Sequence, residues 1–254
     1  MNGAVARVQD EVSREEWRLR VDLAAAYRAV ALFGWDDLIF THLSARVPGP
    51  EPHFLINPYC LLFDEICASD LVKVNLEGET VLDTPHAPNP AGFVIHGAIH
   101  EAREDASCVL HLHTLDGCAV AAQADGLLPL NQTSMLVRED LAYHAYEGVA
   151  VDLDERARLI ADLGDRHALI LRNHGTLTVG TSIAEAFARM YLLERACSMQ
   201  VRSLAGGRPL EKPTAAAIER TAAQGRYGLR AAAEPLLWPA LLRRLDGIDS
   251  SFRC

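Results

Sequence analysis

The sequence predicts an α/β fold in a single large domain, and three observations carry that expectation. Short apolar runs bounded by glycine, proline or asparagine alternate with longer stretches of helical periodicity. The length, 254 residues, suits one large domain. No internal repeat and no low-complexity linker divides the chain.

Taken in order, residues 1–13 are polar and unpatterned and are expected to form a flexible arm. Ser13-Arg14-Glu15-Glu16 reads as a capped helix start, the serine accepting an amide hydrogen and the acids lying in the first turn. Trp17, Val21, Ala24 and Arg28 fall on one stripe beside Leu19, Leu23, Ala26 and Val30, and Gly34 stops the helix. From Leu38 to Leu82 the pattern becomes extended. I-F-T-H-L-S-A-R-V and H-F-L-I-N-P flank the turn P-G-P-E-P, and D-L-V-K-V-N-L meets E-G-E, a hairpin turn before Thr80-Val81-Leu82. Residues 91–103 have helical spacing, with His96 and His100 on one face. V-L-H-L-H (109–113) is a strand. D-L-D-E-R-A-R-L-I-A-D-L-G is an amphipathic helix ending at Gly164, and H-A-L-I-L-R-N-H-G and T-L-T-V-G are strands. A long helix over about 182–204 buries Ile183, Phe187, Met190, Tyr191, Leu193 and Cys197. The division expected is an arm over 1–13, a main domain over 14–210, and a helical extension over 211–254 packed on that domain.

Charge and cysteine usage exclude several partners. The formal net charge is −10, from 24 basic and 34 acidic residues, which argues against nucleic acid and anionic membrane. A small anionic substrate stays possible, because one local positive centre outweighs the global sign. The six cysteines show no CxxC pair and sit largely in apolar runs, the usage of a reduced protein. No signal core is evident at the N-terminus and no apolar run spans a bilayer, so a cytoplasmic location is expected.

V-L-H-L-H-T-L-D-G (109–117) carries the chemistry. Strand alternation puts His111 and His113 on one face, roughly 6–7 Å apart at their Cα atoms. Two such rings either converge on one ion or are hydrogen-bonded independently. In L-I-L-R-N-H-G, His174 ends a second apolar strand just before a glycine, where it is a turn histidine or a third ligand. Three neutral imidazoles with an open position would make a catalytic metal site, and imidazole suits zinc, iron, manganese or cobalt.

H-L-H-T-x-D-G, the later R-N-H-G and the apolar helix before them together resemble the class II aldolase/adducin family, over about residues 15–205. G-W-D-D-L-I-F-T-H-L-S-A-R, G-L-L-P-L-N-Q and A-Y-H-A-Y-E-G resemble its adducin-like branch. The resemblance implies a three-layer α/β/α fold with a mainly antiparallel central sheet, and a homotetramer with active sites at subunit interfaces. It implies one divalent metal ion per subunit on His111, His113 and His174, with zinc ahead of Fe(II), manganese or cobalt. In the family aldolases that zinc stabilises the enediolate left by C–C cleavage.

The family aldolases open the helix before the HxH strand with Ser-Ser-Glu, the serines holding phosphate and the glutamate serving as ligand and acid/base. Here Pro90-Ala91-Gly92 stands in that place. The family's Gly-Asn-x-Ser-x-Arg stands as Thr41-His42-Leu43-Ser44-Ala45-Arg46, and its Thr-Pro-x-Gly turn as Asn57-Pro58-Tyr59-Cys60. A phosphate dianion needs converging donors, so a non-phosphorylated substrate is expected. Proton transfer then falls to another group, with His42, Asp116, His144, Tyr146 and Glu147 as candidates. Asp116 reads equally as a turn residue, Tyr146 and Glu147 as loop residues, and His96 as a satisfied core histidine. Ser44, Arg46 and His42 are the candidate substrate-binding residues, Arg46 pairing either with a substrate carboxylate or within the protein. Asn131 and Gln132 are expected to reach a neighbouring subunit's site, although the tyrosine common there in the family is absent.

The expected function is a metal-dependent lyase acting on a small non-phosphorylated hydroxy- or oxo-acid. Retro-aldol or decarboxylative C–C cleavage, or a related dehydration, would pass through a metal-stabilised enolate. Two alternatives stay open. One is a non-haem Fe(II) oxygenase acting on an arylpyruvate-like acid, a chemistry that needs no strong base. The other is a non-catalytic, adducin-like interaction module, which the retained histidines and the lack of a basic tail oppose.

Overall fold

The computed structural model describes residues 8–88, 92–148 and 154–254. Residues 8–11 are helical, so the end of the expected arm is ordered. Ser13 caps α1 (Arg14–Leu32), its hydroxyl accepting from Glu16 N at 3.1 Å, and Gly34 follows the helix with φ +67°. Three strands come next: β1 (His42–Arg46), β2 (Phe54–Ile56) and β3 (Val72–Val74). The E-G-E turn closes against β3, but beyond it only a single bridge, Val74 to Thr80, extends the pairing.

Gly92 opens α2 (Gly92–Ala102), and Pro90 and Ala91 lie outside the described residues. Then follow β4 (Cys108–Leu112), α3 (Leu115–Ala121), α4 (Gln132–Val137), β5 (Leu141–His144), α5 (Glu155–Leu163), β6 (Ala168–Leu171), β7 (Gly175–Gly180) and the long α6 (Ile183–Ala205). Two further α-helices, α7 (Ala215–Ala232) and α8 (Trp238–Ile248), follow, with a short 3-10 turn, Ser250–Arg253, after them.

The strands form one sheet in the order β3-β2-β1-β4-β7-β6-β5. Every neighbouring pair is antiparallel except β5 with β6. Side-chain alternation divides the sheet's two faces. Leu43, Ala45, Cys108, Leu110 and Leu112 pack with Leu23 and Tyr27 of α1 and Phe187 and Met190 of α6. On the opposite face Val109, Leu177 and Val179 pack with Ile95 and Ile99 of α2 and Leu159 and Leu163 of α5. Helices on both faces of a mainly antiparallel sheet make the three-layer α/β/α architecture. The register of β1 on β4 sets His42 opposite His111, and Ser44 opposite Val109.

Periodicity did not reveal the charges buried beneath α1. Arg20 is fully enclosed, donating to the carbonyls of Ala68 and Leu71 and pairing with Glu16, which also receives Lys73 Nζ at 2.7 Å. Residues beyond 210 lie on the same body. Trp238 Nε1 donates to Asp22 of α1 at 2.9 Å, and Ala68 N donates to the Phe252 carbonyl at 3.0 Å. The six cysteines are all free, and no described helix is long and apolar enough to cross a membrane.

A Cβ placed on Gly225 of α7 would lie 2.3 Å from the Leu136 carbonyl oxygen of α4. That neighbour is backbone and cannot swing aside. Gly225→Ala is expected to cost about 1–3 kcal/mol, measured as a fall in the urea-unfolding midpoint.

Candidate metal centre

Two peptide turns bring three imidazoles into one cluster. In β4, His111 points to the α2 face while Leu110 and Leu112 point to the other, and His113 follows just past the strand end. Thr114 then caps α3, its hydroxyl accepting from Gly117 N at 3.1 Å, so the chain turns away as soon as His113 has been placed. His174 comes from the turn between β6 and β7. Asn173 adopts φ +56° there, a left-handed conformation that asparagine tolerates, and its amide is held by the Ala121 carbonyl at 3.1 Å. Gly175 has to be a glycine, since a Cβ would lie 2.5 Å from the Leu112 carbonyl and 3.1 Å from the His113 ring.

The three rings form a triangle with each pair of centroids 4.8 Å apart. Their ligating nitrogens all lie within 4.8 Å of one another. Outer partners fix two of the tautomers. His111 Nδ1 donates to the Thr176 carbonyl at 3.0 Å, and His113 Nδ1 faces the Asp37 carboxylate at 3.1 Å. Both acceptors lack hydrogen, so each ring carries a proton on Nδ1 and, when neutral, presents a bare Nε2. Those two nitrogens lie 3.0 Å apart. Two lone pairs at that separation repel unless something positive lies between them. Imidazoles about 2.0–2.1 Å from a metal stand about 3.0 Å apart at a right angle, so the donor set fits a cation. Burial, followed by the mutual repulsion of the rings, lowers the basicity of His111 far below the ordinary imidazole value and that of His174 to about 4. Neutral rings are what a metal requires. His111 is buried while His113 and His174 are half-exposed, so the cluster opens on one side.

Asp37 was not legible as part of this cluster, although W-D-D places two acids ahead of β1. It sits in a strained turn, with Leu38 at φ +53° and Thr41 at φ +65°. Glu194 of α6 also escaped notice. Buried beneath the cluster, it accepts from Thr114 and Thr176, tying the segment after His113 to the strand whose carbonyl holds His111. Such outer partners set ligand orientation.

The other residues singled out from sequence lie in varied places. His42 is buried with its ring 5.5 Å from that of His111, and burial, then His113 and His174, push its basicity down to about 3. Ser44 is fully buried and bonded to His96 and His100, so its hydroxyl does not face a substrate. His96 is only half satisfied among the described residues: its Nδ1 meets Ser44, but its Nε2 is buried without a partner there. Arg46 is at the far end of β1 from His42, donates to the His100 carbonyl, and lines a separate cavity of about 500 Å³ with Asp22, Ser107 and Trp238.

Of the proposed proton-transfer residues, Asp116, His144 and Glu147 are likewise engaged elsewhere. Asp116 accepts from Ser198 and Arg202, anchoring α3 to α6. His144 is clamped between Asp162 and Glu155 of α5 at 2.7 and 3.2 Å, so both of its ring nitrogens are occupied. Tyr146 is exposed, and Glu147 forms a surface ion pair with Arg158. Asn131 caps α4 through a reciprocal box with Ser134, and Gln132 is exposed. Among the described contacts within one chain, none of these residues touches the three histidines.

The family model described as Class II Aldolase and Adducin N-terminal domain matches residues 21–201. A Caulobacter vibrioides protein, provisionally named an aldolase class 2 protein, is 56% identical over 242 residues, covering 94% of this chain and 93% of that one. Alpha-adducin of Rattus norvegicus is 47% identical over 190 residues, covering 74% of this chain and 26% of the adducin. The structure of L-fuculose 1-phosphate aldolase from Glaciozyma antarctica superposes with a TM-score of 0.79 at 27% identity, covering 94% of this chain and 93% of that one.

Two outcomes are expected of this geometry. Asp37→Asn removes the carboxylate that orients His113 and should weaken zinc binding about 10–100-fold, read by competition with a chelator. The second concerns acid stability. His100 is buried, and burial, with Arg46 adding to it, holds its folded-state basicity at about 3. An unfolded histidine titrates at about 6.5. Stability is therefore complete above that pH and is lost as pH falls toward 3, because only the unfolded chain takes the proton. The loss approaches about 1.4 kcal/mol per pH unit for this group. Urea titrations between pH 7 and 4.5 should show it, with a shallower slope in His100→Gln.

Proposed function

This chain belongs to the Class II Aldolase and Adducin N-terminal domain family, and we propose on that premise that it is a metal-dependent, aldolase-like lyase. Its substrate in this reading is a small, non-phosphorylated hydroxy- or oxo-acid. One observation carries the reading: the bare Nε2 atoms of His111 and His113 confront each other at 3.0 Å, with His174 completing the triangle. His111, His113 and His174 would hold one zinc ion per subunit. Zinc bound there supplies Lewis-acid polarisation of a carbonyl oxygen.

The chain's own residues do the rest. Thr176 and Asp37 keep two imidazoles in the metal-binding tautomer, and Glu194 ties their segments together. The half-exposed sides of His113 and His174 admit the substrate, while the buried His42 ring stands behind His111. The described residues that stand at the family's phosphate-holding positions support a substrate without that group. Ser44 commits its hydroxyl to His96 and His100, and Asn57 is fully buried, its amide bonded to Tyr27 and to the Pro58 carbonyl. Gly92 brings no carboxylate. A homotetramer with its sites at subunit interfaces and Asn131 and Gln132 reaching a neighbour is part of the proposal, as is a cytoplasmic location.

The 47% identity to alpha-adducin favours a second reading, a non-catalytic interaction module. Metal analysis of protein purified without added metal or chelator separates the two. About one zinc per chain is expected, lost in His113→Ala while the fold and oligomer persist. Protein without metal, or metal unaffected by His113→Ala, would overturn the lyase reading. Stoichiometric iron with oxygen consumption would replace it with an oxygenase.

A further inference from the structure

Behind the three-imidazole cluster, two histidines and a serine form a row whose hydrogen positions are dictated from one end. The Ala106 carbonyl only accepts, so His100 carries its proton on Nδ1, 2.8 Å away. His100 Nε2 is therefore bare and takes the Ser44 hydroxyl hydrogen at 2.7 Å. Having given away its one hydrogen, Ser44 Oγ accepts from His96 Nδ1, also at 2.7 Å. His96 is left with a bare Nε2, buried and without a partner among the described residues. An orphaned nitrogen of this kind is costly and calls for a donor.

The neighbour able to bring one is His42. Its ring centroid is 4.2 Å from that of His96, and both of its own nitrogens are buried and, among the described residues, unpartnered. On its other side lies the His111 ring. We propose that His100, Ser44 and His96 are positioning residues that set the tautomer of His42. By a small ring rotation the single N–H of His42 turns to His96 Nε2, and its other nitrogen is kept as a bare acceptor beside the three-histidine cluster. A bound molecule that reaches this buried nitrogen meets an acceptor, which takes a hydroxyl hydrogen and disfavours groups that offer only lone pairs, such as an ether, a phosphate oxygen or a carboxylate. Of the hydroxy- and oxo-acids proposed as substrates, it selects those with a free hydroxyl next to the metal-binding oxygen. This consequence for the ligand rests on the proposed metal-site reading; the row itself does not.

Long-range proton–nitrogen NMR of metal-free, histidine-labelled protein at neutral pH reads the tautomers directly. The expected result is His100 and His96 protonated on Nδ1. In Ser44→Ala, His96 should lose that preference and populate the Nε2–H form, while Ser44→Thr, which keeps the hydroxyl, should restore it. A purely structural role for Ser44 would move melting temperature and leave the tautomers unchanged. If Ser44→Ala does not fold, His100→Phe breaks the same row from its outer end and is read in the same way. Wild-type His96 protonated on Nε2, or a tautomer indifferent to these substitutions, would overturn the proposal.

The ligand arm uses glycolate and methoxyacetate, which differ in the hydroxyl hydrogen, titrated into zinc-loaded protein. The preference for glycolate is expected to shrink about tenfold in Ser44→Ala, the worth of one hydrogen bond. An unchanged preference would overturn the selection of a hydroxyl. Failure of both acids to bind would count against the lyase reading, while the NMR result still decides the row.

Discussion

Two imidazole lone pairs held face to face are the constraint around which the centre of this molecule is arranged. The Thr176 carbonyl and the Asp37 carboxylate each claim the outer proton of a ring, so as neutral imidazoles His111 and His113 have no hydrogen to offer each other. Burial keeps His111 from acquiring one easily. A pair of neutral rings in that posture is unfavourable alone and favourable around a cation. The fold holds them there with segments that cannot relax: a capped helix start at Thr114, a left-handed Asn173, and Glu194 bridging Thr114 to Thr176.

The same logic recurs one layer further in. Ser44, His96 and His100 form a polar row inside an otherwise apolar interface between α2 and β1, and each hydrogen along it is assigned by the next group. Buried polar arrays of this kind specify geometry strongly when every member is satisfied, and they advertise a function where one is not. The groups left unsatisfied among the described residues, His96 and its neighbour His42, are those nearest the three-histidine cluster.

What the sequence displays and what it conceals differ by the range of the interaction. Strand alternation placed His111 and His113 on one face, and the R-N-H-G turn marked His174, because both signals are contained within a few residues. The helix starting after Ser13 and the one ending at Gly164 were equally local. Asp37 was invisible as a partner of His113 because 76 positions separate them, and no spacing rule links a turn before β1 to the end of β4. Glu194 was hidden in the same way, one acid among several on a long helix. Ser44 was misread as substrate-facing because only the register of β1 against β4, and the position of α2 above it, show what fills that face. Asn131 carried a readable signal, an asparagine with a serine three positions on, that marks the start of a helix. His144, Asp116 and Glu147 are polar residues of suitable type whose acidic or basic partners come from distant segments.

Gly175 has an implication for how the centre is loaded. With no side chain there, β7 approaches the Leu112 carbonyl closely, and the rings of His111 and His113 rest against bare backbone. Strands in such close contact leave the ligands little freedom to lose. An arriving ion would meet a vessel already shaped, so its capture would order few residues and bury little new apolar surface. The calorimetric signature of such capture is a small heat-capacity change, unlike that of a zinc finger, where the ion and the fold arrive together.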